Sequence, residues 1–398
     1  MKKKLLPALI VTGLIILVVI IMGITALINK YTPTKKTEDL KEYFNISSDD
    51  EAALIVDNEL SDYKAKIIDK KIYVDYKFVH DSLNSRFYWD ANENVLLYTT
   101  ESDIISAVAD SNSYSVTKQT NDFGYPIVKA TSDSALIALD YVKQYSNITF
   151  KSYDDPARIV ITSKWDEIDS ATVSKSTQVR VKGGIKSPIL KEVKKDDKIT
   201  ILDSGDKWDK VATEDGVIGY IKRKALSESK KTKLTNPDYE EETFTHIKKD
   251  KDICLAWNQV TSQSANSKVP QVISSTKGIN VMSPTWFYLN DNNGNLADIA
   301  SKDYVSYCHS QGIEVWGLFS NLENTDVDAA YVLTHTSTRT TLINQIMSAA
   351  FNYELDGVNI DFENITEAAY GDSYIEFIRE LSIKLSLIHI SEPTRHAQ

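Results

Sequence analysis

Residues 356–364 read Asp356-Gly357-Val358-Asn359-Ile360-Asp361-Phe362-Glu363-Asn364, and the alternation within this stretch decides the fold class. Successive side chains of a β-strand point to opposite faces. Three polar side chains would therefore share one face of a strand here, and three apolar side chains would share the other. The polar set is Asn359, Asp361 and Glu363, and the apolar set is Val358, Ile360 and Phe362. The pattern predicts a buried strand with one functional face.

Three more apolar segments of strand type precede this stretch, and segments of helical period lie between and after them. The predicted strands are Ile253–Trp257, Ile279–Phe287, Ile313–Phe319 and Gly357–Phe362. The predicted helices are Lys302–Gln311, Arg339–Tyr353 and Ser373–Leu385. Repeated strand–helix units indicate a parallel sheet with right-handed crossovers. In a barrel of such units, catalytic side chains lie at the carboxyl ends of the strands.

The polar face of the fourth strand indicates a functional site. Burying polar side chains costs free energy unless they are paired. Two carboxyl groups in one site also disfavour each other's ionisation, which is a general way to keep one of them protonated as an acid. We therefore predict a catalytic site in which Glu363 is the general acid and Asp361 lies beside it.

This stretch resembles the DxxDxDxE signature of glycoside hydrolase family 18. Asp356 matches the first Asp of the signature, Asp361 the third Asp, and Glu363 the acid, whereas Asn359 departs from the second Asp. Three neighbouring segments resemble the branch that acts on spore cortex and peptidoglycan, in which Asn is tolerated at that place. They are ICLAW at 253–257, SPTWF at 283–287 and VWGL at 315–318.

The resemblance implies a (β/α)8 TIM barrel that hydrolyses β-linked N-acetylglucosamine polymers, with peptidoglycan as the first expectation, and that uses no metal or other cofactor. It also implies substrate-assisted retention of configuration. Glu363 would protonate the glycosidic oxygen, and the 2-acetamido oxygen of the sugar would attack the anomeric carbon. Asp361 would orient the acetamido group, and Asn359 and Asp356 would complete the catalytic signature.

Two tryptophans near predicted strand ends, Trp257 and Trp286, are candidates for substrate binding. An aromatic face could stack on a sugar, but it could equally pack inside the barrel, and both interpretations stay open. Two other functions also stay open. The protein could be a non-catalytic lectin of the cell wall, or it could be a chitinase or an endo-β-N-acetylglucosaminidase of N-glycans.

The resemblance covers about residues 250–387, which we assign to a domain at 245–387 that holds four of the eight units of a barrel. Residues 388–398 continue no pattern, and Pro393 would break a helix. We therefore expect 388–398 to be a non-native tail on a catalytic barrel that is truncated in this sequence. We also expect the enzyme to be inactive in this form.

The N-terminus predicts a membrane anchor over residues 1–30. Three lysines precede an uncharged run from Leu5 to Ile28, which is long enough to cross a bilayer of about 30 Å. The lysines favour a cytoplasmic N-terminus, so the rest of the chain would lie outside the cell membrane in a single-pass arrangement. A cleaved signal peptide is the alternative, and either interpretation implies export. Residues 31–50 are typical of a polar stalk.

Residues 51–165 contain an internal repeat that predicts an α+β duplicated module. Phe78–Thr100 and Tyr141–Ser163 align without gaps, so that Phe87 meets Phe150 and Thr99 meets Thr162. Each copy predicts a helix, a strand, a polar turn and a second strand. The pattern resembles the copper amine oxidase N-terminal-like module. Copper is not implied, because His80 stands without a cluster of other metal ligands.

Residues 170–228 predict a small all-β barrel that resembles bacterial SH3-like domains. The strands are carried by Val179–Val181, Lys198–Leu202, Trp208–Val211 and Gly216–Ile221, with turns between them. Domains of this type often bind cell-wall peptides, and a structural spacer is the alternative. Trp208 is expected to belong to the core.

The chain of 398 residues carries a net charge of −11, which argues against a nucleic-acid partner and is compatible with a carbohydrate partner. Only two cysteines occur, Cys254 and Cys308. We predict that both are buried as separate thiols rather than joined in a disulfide.

Overall fold

A computed structural model describes residues 2–244 and 248–386, apart from the side chains of residues 2–9 and 367–369. The chain is a multidomain α/β protein with several sheets and one N-terminal apolar helix. It divides into two compact units, each built from two separate segments. Unit 1 is Met1–Ile72 with Asn147–Tyr239, and unit 2 is Tyr73–Ser146 with Glu240–Gln398. The predicted tail at 388–398 lies outside the described residues.

The N-terminal helix α1 spans Lys2–Tyr31, which contains the predicted apolar run Leu5–Ile28. Its segment Ile10–Tyr31 is long and apolar enough to cross a membrane and is not buried against the rest of the protein. A signal sequence near an N-terminus meets the same test. The short helix α2, Leu40–Tyr43, follows, and Asp39 caps it by accepting from the backbone N–H groups of Lys41 and Glu42.

Residues 51–165 form short strands and two short helices, with a π-helical turn at Val79–Leu83. In chain order these elements are β1 (Glu51–Val56), β2 (Glu59–Ile68), β3 (Lys71–Asp75), α3 (Tyr76–Phe78), β4 (Phe87–Asp90), β5 (Val95–Thr99), β6 (Ile104–Val108), β7 (Ser113–Val116), β8 (Gln119–Asp122), β9 (Val128–Ala130), β10 (Ala135–Ala138), α4 (Leu139–Gln144), β11 (Thr149–Tyr153) and β12 (Arg158–Thr162).

The two copies of the sequence repeat have the predicted order of helix, strand, turn and strand, but their strands belong to different units. The first copy supplies β4 and β5, which open an antiparallel meander running from β4 to β8 in unit 2. The second copy supplies β11 and β12, and in unit 1 β12 pairs in parallel with β1. The resemblance to the copper amine oxidase N-terminal-like module remains a prediction.

The next part of unit 1 is an antiparallel sheet with the strand order β15-β14-β18-β17-β16-β13-β19. Its strands are β13 (Glu167–Thr172), β14 (Thr177–Arg180), β15 (Ile189–Val193), β16 (Lys198–Asp203), β17 (Trp208–Thr213), β18 (Ile218–Lys222) and β19 (Lys230–Lys233). The four predicted strands correspond to β14, β16, β17 and β18. Trp208 is only half-buried, with the Lys222 ammonium 5.6 Å from its ring centre.

Residues 255–386 alternate between strands and helices in unit 2. The elements are β20 (Leu255–Asn258), α5 (Val269–Ser274), β21 (Val281–Pro284), β22 (Phe287–Leu289), β23 (Leu296–Asp298), α6 (Lys302–Ser310), β24 (Glu314–Ser320), α7 (Ala329–Thr334), α8 (Thr336–Tyr353), β25 (Gly357–Asp361) and α9 (Glu367–Ser386). Strands β20, β21, β24 and β25 lie side by side in that order, and each pairs in parallel with the next. The predicted parallel sheet is therefore confirmed.

One predicted strand of this sheet was wrong. Ile279–Phe287 was predicted as a single strand, but the chain forms β21, turns at Thr285 and Trp286, and continues as β22. Strand β22 then pairs antiparallel with β23, which the sequence analysis did not predict. The reason is local, because the Trp286 backbone N–H donates to the Pro284 carbonyl at 3.0 Å and so bends the chain.

The meander of unit 2 contacts helices α8 and α9 through buried polar side chains. The backbone N–H of Thr336 donates to Asp90 on β4 at 2.6 Å, and Tyr88 hydrogen-bonds Ser373 at 2.9 Å. The guanidinium of Arg339 is fully buried, lies 5.0 Å from the Tyr88 ring centre and donates to Glu380 at 2.8 Å. Residues 73–146 are thus joined to the C-terminal helices by specific polar contacts.

The two cysteines are free thiols, as predicted. Cys308 is buried, and burial raises the pKa of its thiol to about 12. Cys254 is exposed, which corrects the prediction that it is buried, because β20 begins only at the next residue.

Candidate active site at the carboxyl ends of the parallel strands

The carboxyl ends of four parallel strands form one edge of the sheet in unit 2. Trp257 on β20 lies beside Ser283 on β21, and Ser320 on β24 lies beside Asp361 on β25. Because parallel strands all end at the same edge, polar groups at these positions are candidates for a common site. The predicted residues Asn359, Asp361 and Glu363 belong to this edge.

Asn359 is the buried member of the predicted polar face, with 6% of its surface exposed. Its side-chain amide donates to the hydroxyl of Ser283, with 3.1 Å between Nδ2 and Oγ. Ser283 itself is inaccessible to solvent. The two residues lie on β25 and β21, so the hydrogen bond passes over the intervening strand β24. The polar side chain is thus paired, as a buried polar group requires.

Asp361 and Glu363 are both exposed. Asp361 is the last residue of β25, two positions beyond Asn359, so the two side chains leave the strand on the same face. Within the described residues, no side chain hydrogen-bonds either carboxylate. Both groups are therefore accessible to a ligand.

Tyr374 on α9 is close enough to Asp361 for the carboxylate to affect its ionisation. Burial raises the pKa of the Tyr374 phenol, and the charge of Asp361 raises it further. The ring of Tyr374 also lies 6.4 Å from that of Phe362, between centroids. Tyr374 is thus a phenol beside the candidate site that the sequence analysis missed, because only packing of α9 on β25 brings it there.

The backbone of Glu363 is held by a side chain from the neighbouring strand. Asn321, directly after β24, accepts from the Glu363 N–H at 2.8 Å and donates to the Glu363 carbonyl at 3.0 Å. Asn364 follows with a φ of 61°, and its carbonyl accepts from the Tyr370 hydroxyl at 3.2 Å. The segment that carries the predicted acid is therefore fixed at two successive residues.

Asp356 lies at the opposite end of β25 from this site. Asp361 lies five positions after Asp356, which corresponds to about 16 Å along a strand. Its carboxylate accepts from the backbone N–H of Val315 at 2.8 Å and contacts His309 Nε2 at 2.8 Å. Asp356 thus joins the start of β25 to β24 and α6, and its membership of the catalytic set stays a prediction.

The two candidate tryptophans have opposite surroundings. Trp257 has 64% of its surface exposed at the end of β20. Trp286 is fully buried, donates to Asn266 at 2.8 Å and packs against Tyr304 with 4.9 Å between ring centroids. The ring of Trp286 is inaccessible to a ligand in this structure, which favours the packing interpretation over substrate binding.

Two other features of the described residues bear on the choice of site. Within them, no group of three or more His, Cys, Asp or Glu side chains could hold a metal ion. A cavity of about 530 Å³ lies in unit 1, and its lining includes Phe150, Lys198 and Thr232. The acidic residues at the strand ends therefore remain the candidate with an evident chemistry.

Comparison with known proteins finds structural likeness only. No protein-family profile and no curated protein sequence matches the chain. Its structural neighbours are chitinases and spore cortex-lytic enzymes. The chitinase of Chromobacterium violaceum is 17% identical with a TM-score of 0.29, over 35% of this chain and 43% of that one.

The spore cortex-lytic enzymes of two Bacillus species are neighbours at a similar level. That of Bacillus cereus is 17% identical with a TM-score of 0.29, over 38% of this chain and 37% of that one. That of Bacillus megaterium is 17% identical with a TM-score of 0.30, over 39% of this chain and 38% of that one. The chain thus spans less than half of the length of each of these structures.

Proposed function

We propose that this chain carries part of the active site of a family 18 type glycosidase that cleaves β-linked N-acetylglucosamine polymers, with peptidoglycan as the main substrate. One observation carries the proposal: Asn359, Asp361 and Glu363 follow one another at the carboxyl end of a parallel strand, and both carboxylates are accessible. This is the place and the residue order that the DxxDxDxE resemblance requires. The exposed ring of Trp257 lies at the same edge and offers a face for a sugar.

The proposal includes a (β/α)8 barrel of which β20, β21, β24 and β25 are the first four strands. In such a barrel, side chains from alternate strands share a layer in the interior. The hydrogen bond from Asn359 to Ser283 joins the fourth strand to the second over the third, and it supports this arrangement. Hydrolysis would belong to the whole protein that contains the complete barrel.

The proposed reaction proceeds in two steps. Glu363 gives its proton to the glycosidic oxygen, the bond from that oxygen to the anomeric carbon breaks, and the 2-acetamido oxygen bonds to the anomeric carbon from the other face. Asp361 stabilises the positive charge that develops on the acetamido group. Water then attacks the anomeric carbon, gives a proton to the Glu363 carboxylate and restores the acetamido group. The sugar leaves with its configuration retained.

Asn359 contributes a neutral amide in place of the carboxylate in the signature. A carboxylate at a position with 6% exposure would cost more to bury than an amide that already has a partner. In this proposal, Asn359 fixes the start of the functional face, while Asp361 carries the only negative charge that the mechanism needs beside the acid.

Digestion of purified peptidoglycan by the whole protein tests the proposal, with products identified by mass spectrometry. Glu363→Gln should lower turnover by about 10²–10⁴-fold, which is the usual contribution of general acid catalysis. Glu354→Gln is a matched control, because Glu354 is exposed at the end of α8, away from the strand ends. Unchanged turnover in Glu363→Gln would refute the assignment of the acid.

The choice of substrate is tested in parallel digests. Chitin and an N-glycan core with a chitobiose unit are the competing substrates. A substrate without the N-acetyl group should resist cleavage, because the oxygen of that group is the proposed nucleophile. A second candidate function, a wall lectin, predicts binding without turnover in every digest. The exposed Trp257 is compatible with that function, but two accessible carboxylates at the strand ends favour catalysis.

The proposed location is the outer side of the cell membrane, with 1–30 as the anchor and 31–50 as the stalk. Helix α1 supports this, because its apolar segment is not buried against the rest of the described protein. Protease added outside intact cells should digest the body of the protein and leave α1 in the membrane pellet. A processed protein in the medium, beginning after residue 31, would instead identify α1 as a signal peptide.

The accessory modules complete the proposal. We assign 51–165 to a copper amine oxidase N-terminal-like module, 170–228 to an SH3-like domain and 245–387 to the partial barrel. The antiparallel pairing of β14, β16, β17 and β18 supports the second assignment. Pull-down by insoluble peptidoglycan of residues 32–239, which include all of unit 1 after α1, should distinguish a wall-binding domain from a spacer.

A further inference from the structure

We propose that Asn321 is a positioning residue that fixes the direction in which Glu363 leaves the strand. The inference rests on the proposed function for its catalytic consequence, but the contact on which it is built is independent of that function. Asn321 does not belong to the DxxDxDxE signature.

The structural reason is that the β-ladder ends two residues before the acid. Strands β24 and β25 pair in register up to Ser320 and Asp361. The chain after β24 then turns away, so backbone groups of β24 are no longer available to hold Glu363. A side chain takes their place.

The side chain of Asn321 satisfies both backbone groups of Glu363. Its Oδ1 accepts from the Glu363 N–H at 2.8 Å, and its Nδ2 donates to the Glu363 carbonyl at 3.0 Å. Only a primary amide offers a donor and an acceptor side by side in this way. Asn321 therefore acts as one more residue of the ladder, and it fixes the backbone on both sides of the Glu363 Cα.

This matters because the described residues give the Glu363 carboxylate no hydrogen-bond partner. The residue is exposed, and within the described residues no side chain hydrogen-bonds its carboxylate. The direction of the Cα–Cβ bond is then the main constraint on where the acid can reach. A displacement of about 1 Å in such a group can lower a rate by about 10²-fold.

The adjacent groups support a fixed segment. The hydroxyl of Ser320 donates to Glu323, which holds the loop after β24 close to its own strand. On the far side, the Tyr370 hydroxyl donates to the Asn364 carbonyl at 3.2 Å. The loop that carries Asn321 and the segment that carries Glu363 are thus each fixed by a hydrogen bond of their own. The two hydrogen bonds between Asn321 and Glu363 join this loop to this segment.

Hydrogen–deuterium exchange of the chain itself tests the contact without any need for activity. In Asn321→Ala the backbone N–H of Glu363 loses its acceptor, so its exchange should become faster by about tenfold, as the loss of one hydrogen bond predicts. Asn321→Asp keeps an acceptor oxygen and should retain most of the protection. Asn324→Ala is the control, since Asn324 lies in the same loop but donates to the Asn290 carbonyl instead.

Kinetics of the whole protein test the catalytic consequence. Asn321→Ala should lower kcat by about 10–100-fold with KM changed less than about twofold, because substrate contacts are left in place. Asn321→Asp should lie between that variant and the wild type, and Asn324→Ala should match the wild type.

The outcomes separate the two proposals. Unchanged exchange at Glu363 in Asn321→Ala overturns the positioning role outright. Faster exchange with an unchanged kcat overturns it as well, provided that Glu363→Gln is inactive. Equal losses of kcat in Asn321→Ala and Asn324→Ala would reduce the role to loop stability and also overturn it. If Glu363→Gln keeps full turnover, the proposed function fails, while faster exchange still establishes the contact.

Discussion

The side chain of Asn359 on β25 donates a hydrogen bond to Ser283 on β21, with 3.1 Å between Nδ2 and Oγ and no accessible surface on the serine. This contact joins two strands that are not neighbours in the sheet. It therefore connects the second and fourth parallel strands at the candidate site, in addition to satisfying a buried amide.

Ser283→Ala tests the contribution of this contact to stability. The substitution leaves the buried Asn359 amide without its acceptor, so the free energy of unfolding should fall by about 1–3 kcal/mol. Chemical denaturation followed by tryptophan fluorescence measures the change. Ser264→Ala is the control, because the Ser264 side chain is exposed and its hydroxyl contacts the exposed Ser262 hydroxyl. Equal stability of the two variants would show that the amide finds another partner.

Trp257→Ala tests the exposed indole as a sugar platform. If the ring stacks on a sugar, its loss should weaken binding of a soluble N-acetylglucosamine oligomer by about tenfold, which corresponds to ~1.4 kcal/mol. Phe351→Ala is a suitable control, since Phe351 has 74% of its surface exposed but lies on α8. Isothermal titration with the whole protein gives both affinities. Identical affinities would remove Trp257 from the site.

Because Glu376 on α9 is buried, we predict that the free energy of unfolding falls as the pH rises through neutrality. Burial and, to a smaller extent, the nearby Glu380 raise the pKa of Glu376 to about 7, against the opposing effects of Arg379 and Arg339. A folded pKa above the unfolded value means that the protonated form favours folding. The stabilisation is complete below about pH 4.5 and disappears as the pH rises through about 7.

Glu376→Gln should remove this dependence on pH. At pH 8 the variant should be more stable than the wild type by about 1–3 kcal/mol, because it buries no charge. At pH 4.5 the two should be nearly equal. Thermal unfolding across this range makes the comparison, with the exposed Glu241→Gln as control. A wild-type stability that rises between pH 5 and pH 8 relative to the variant would contradict the prediction.

For Asp215 in unit 1 we predict the opposite dependence of the free energy of unfolding on pH. Its carboxylate forms ion pairs with Arg158, which is 6% exposed, and with Lys191 at 2.5 Å, and it accepts from Thr213 at 2.6 Å. Burial alone would raise the pKa of Asp215, but the bonds from Lys191 and Thr213 and the two cations together lower it below its usual value. The stabilisation is present above about pH 3.8 and is lost as the pH falls further.

Asp215→Asn should destabilise unit 1 by about 3–5 kcal/mol near neutral pH, because it leaves Arg158 buried beside an uncharged group. The loss should shrink in acid, where the wild type also loses its anion. Unfolding at pH 7 and pH 3 measures both values, and Asp206→Asn, in an exposed turn of the same sheet, is the control. A loss that is independent of pH would assign the effect to hydrogen-bond geometry instead of charge.

The sequence predicted the elements of the candidate site better than its contacts. The alternation of residues 357–362 placed β25 within one residue, because strand faces follow directly from side-chain polarity. It also placed Asp361 and Glu363 on an accessible edge. Asp356 precedes the first residue of β25, and the sequence did not predict its contacts with Val315 and His309, which come from other elements.

The sequence did not predict the surroundings of Trp286, Asn321 and Tyr374, and in all three cases these surroundings depend on how the chain bends and packs. Trp286 lies one residue beyond Thr285, where the chain bends, and this bend directs the indole into the core toward Asn266. Asn321 and Tyr374 reach the site only because β24 and α9 pack beside β25, and these contacts bridge 42 residues in the case of Asn321. Contacts of that range depend on tertiary packing, which local pattern does not encode.

The pairing of Asp90 with Thr336 has a consequence for biosynthesis. The two residues are 246 positions apart in the chain. At 5–20 residues per second, a ribosome needs roughly 10–50 s to add the intervening segment. Throughout that interval Tyr88 and Asp90 have no helix to cover them. Strand β4 therefore cannot reach its final surroundings until α8 has been made, so the two segments of unit 2 can mature together only after residue 336 has left the ribosome.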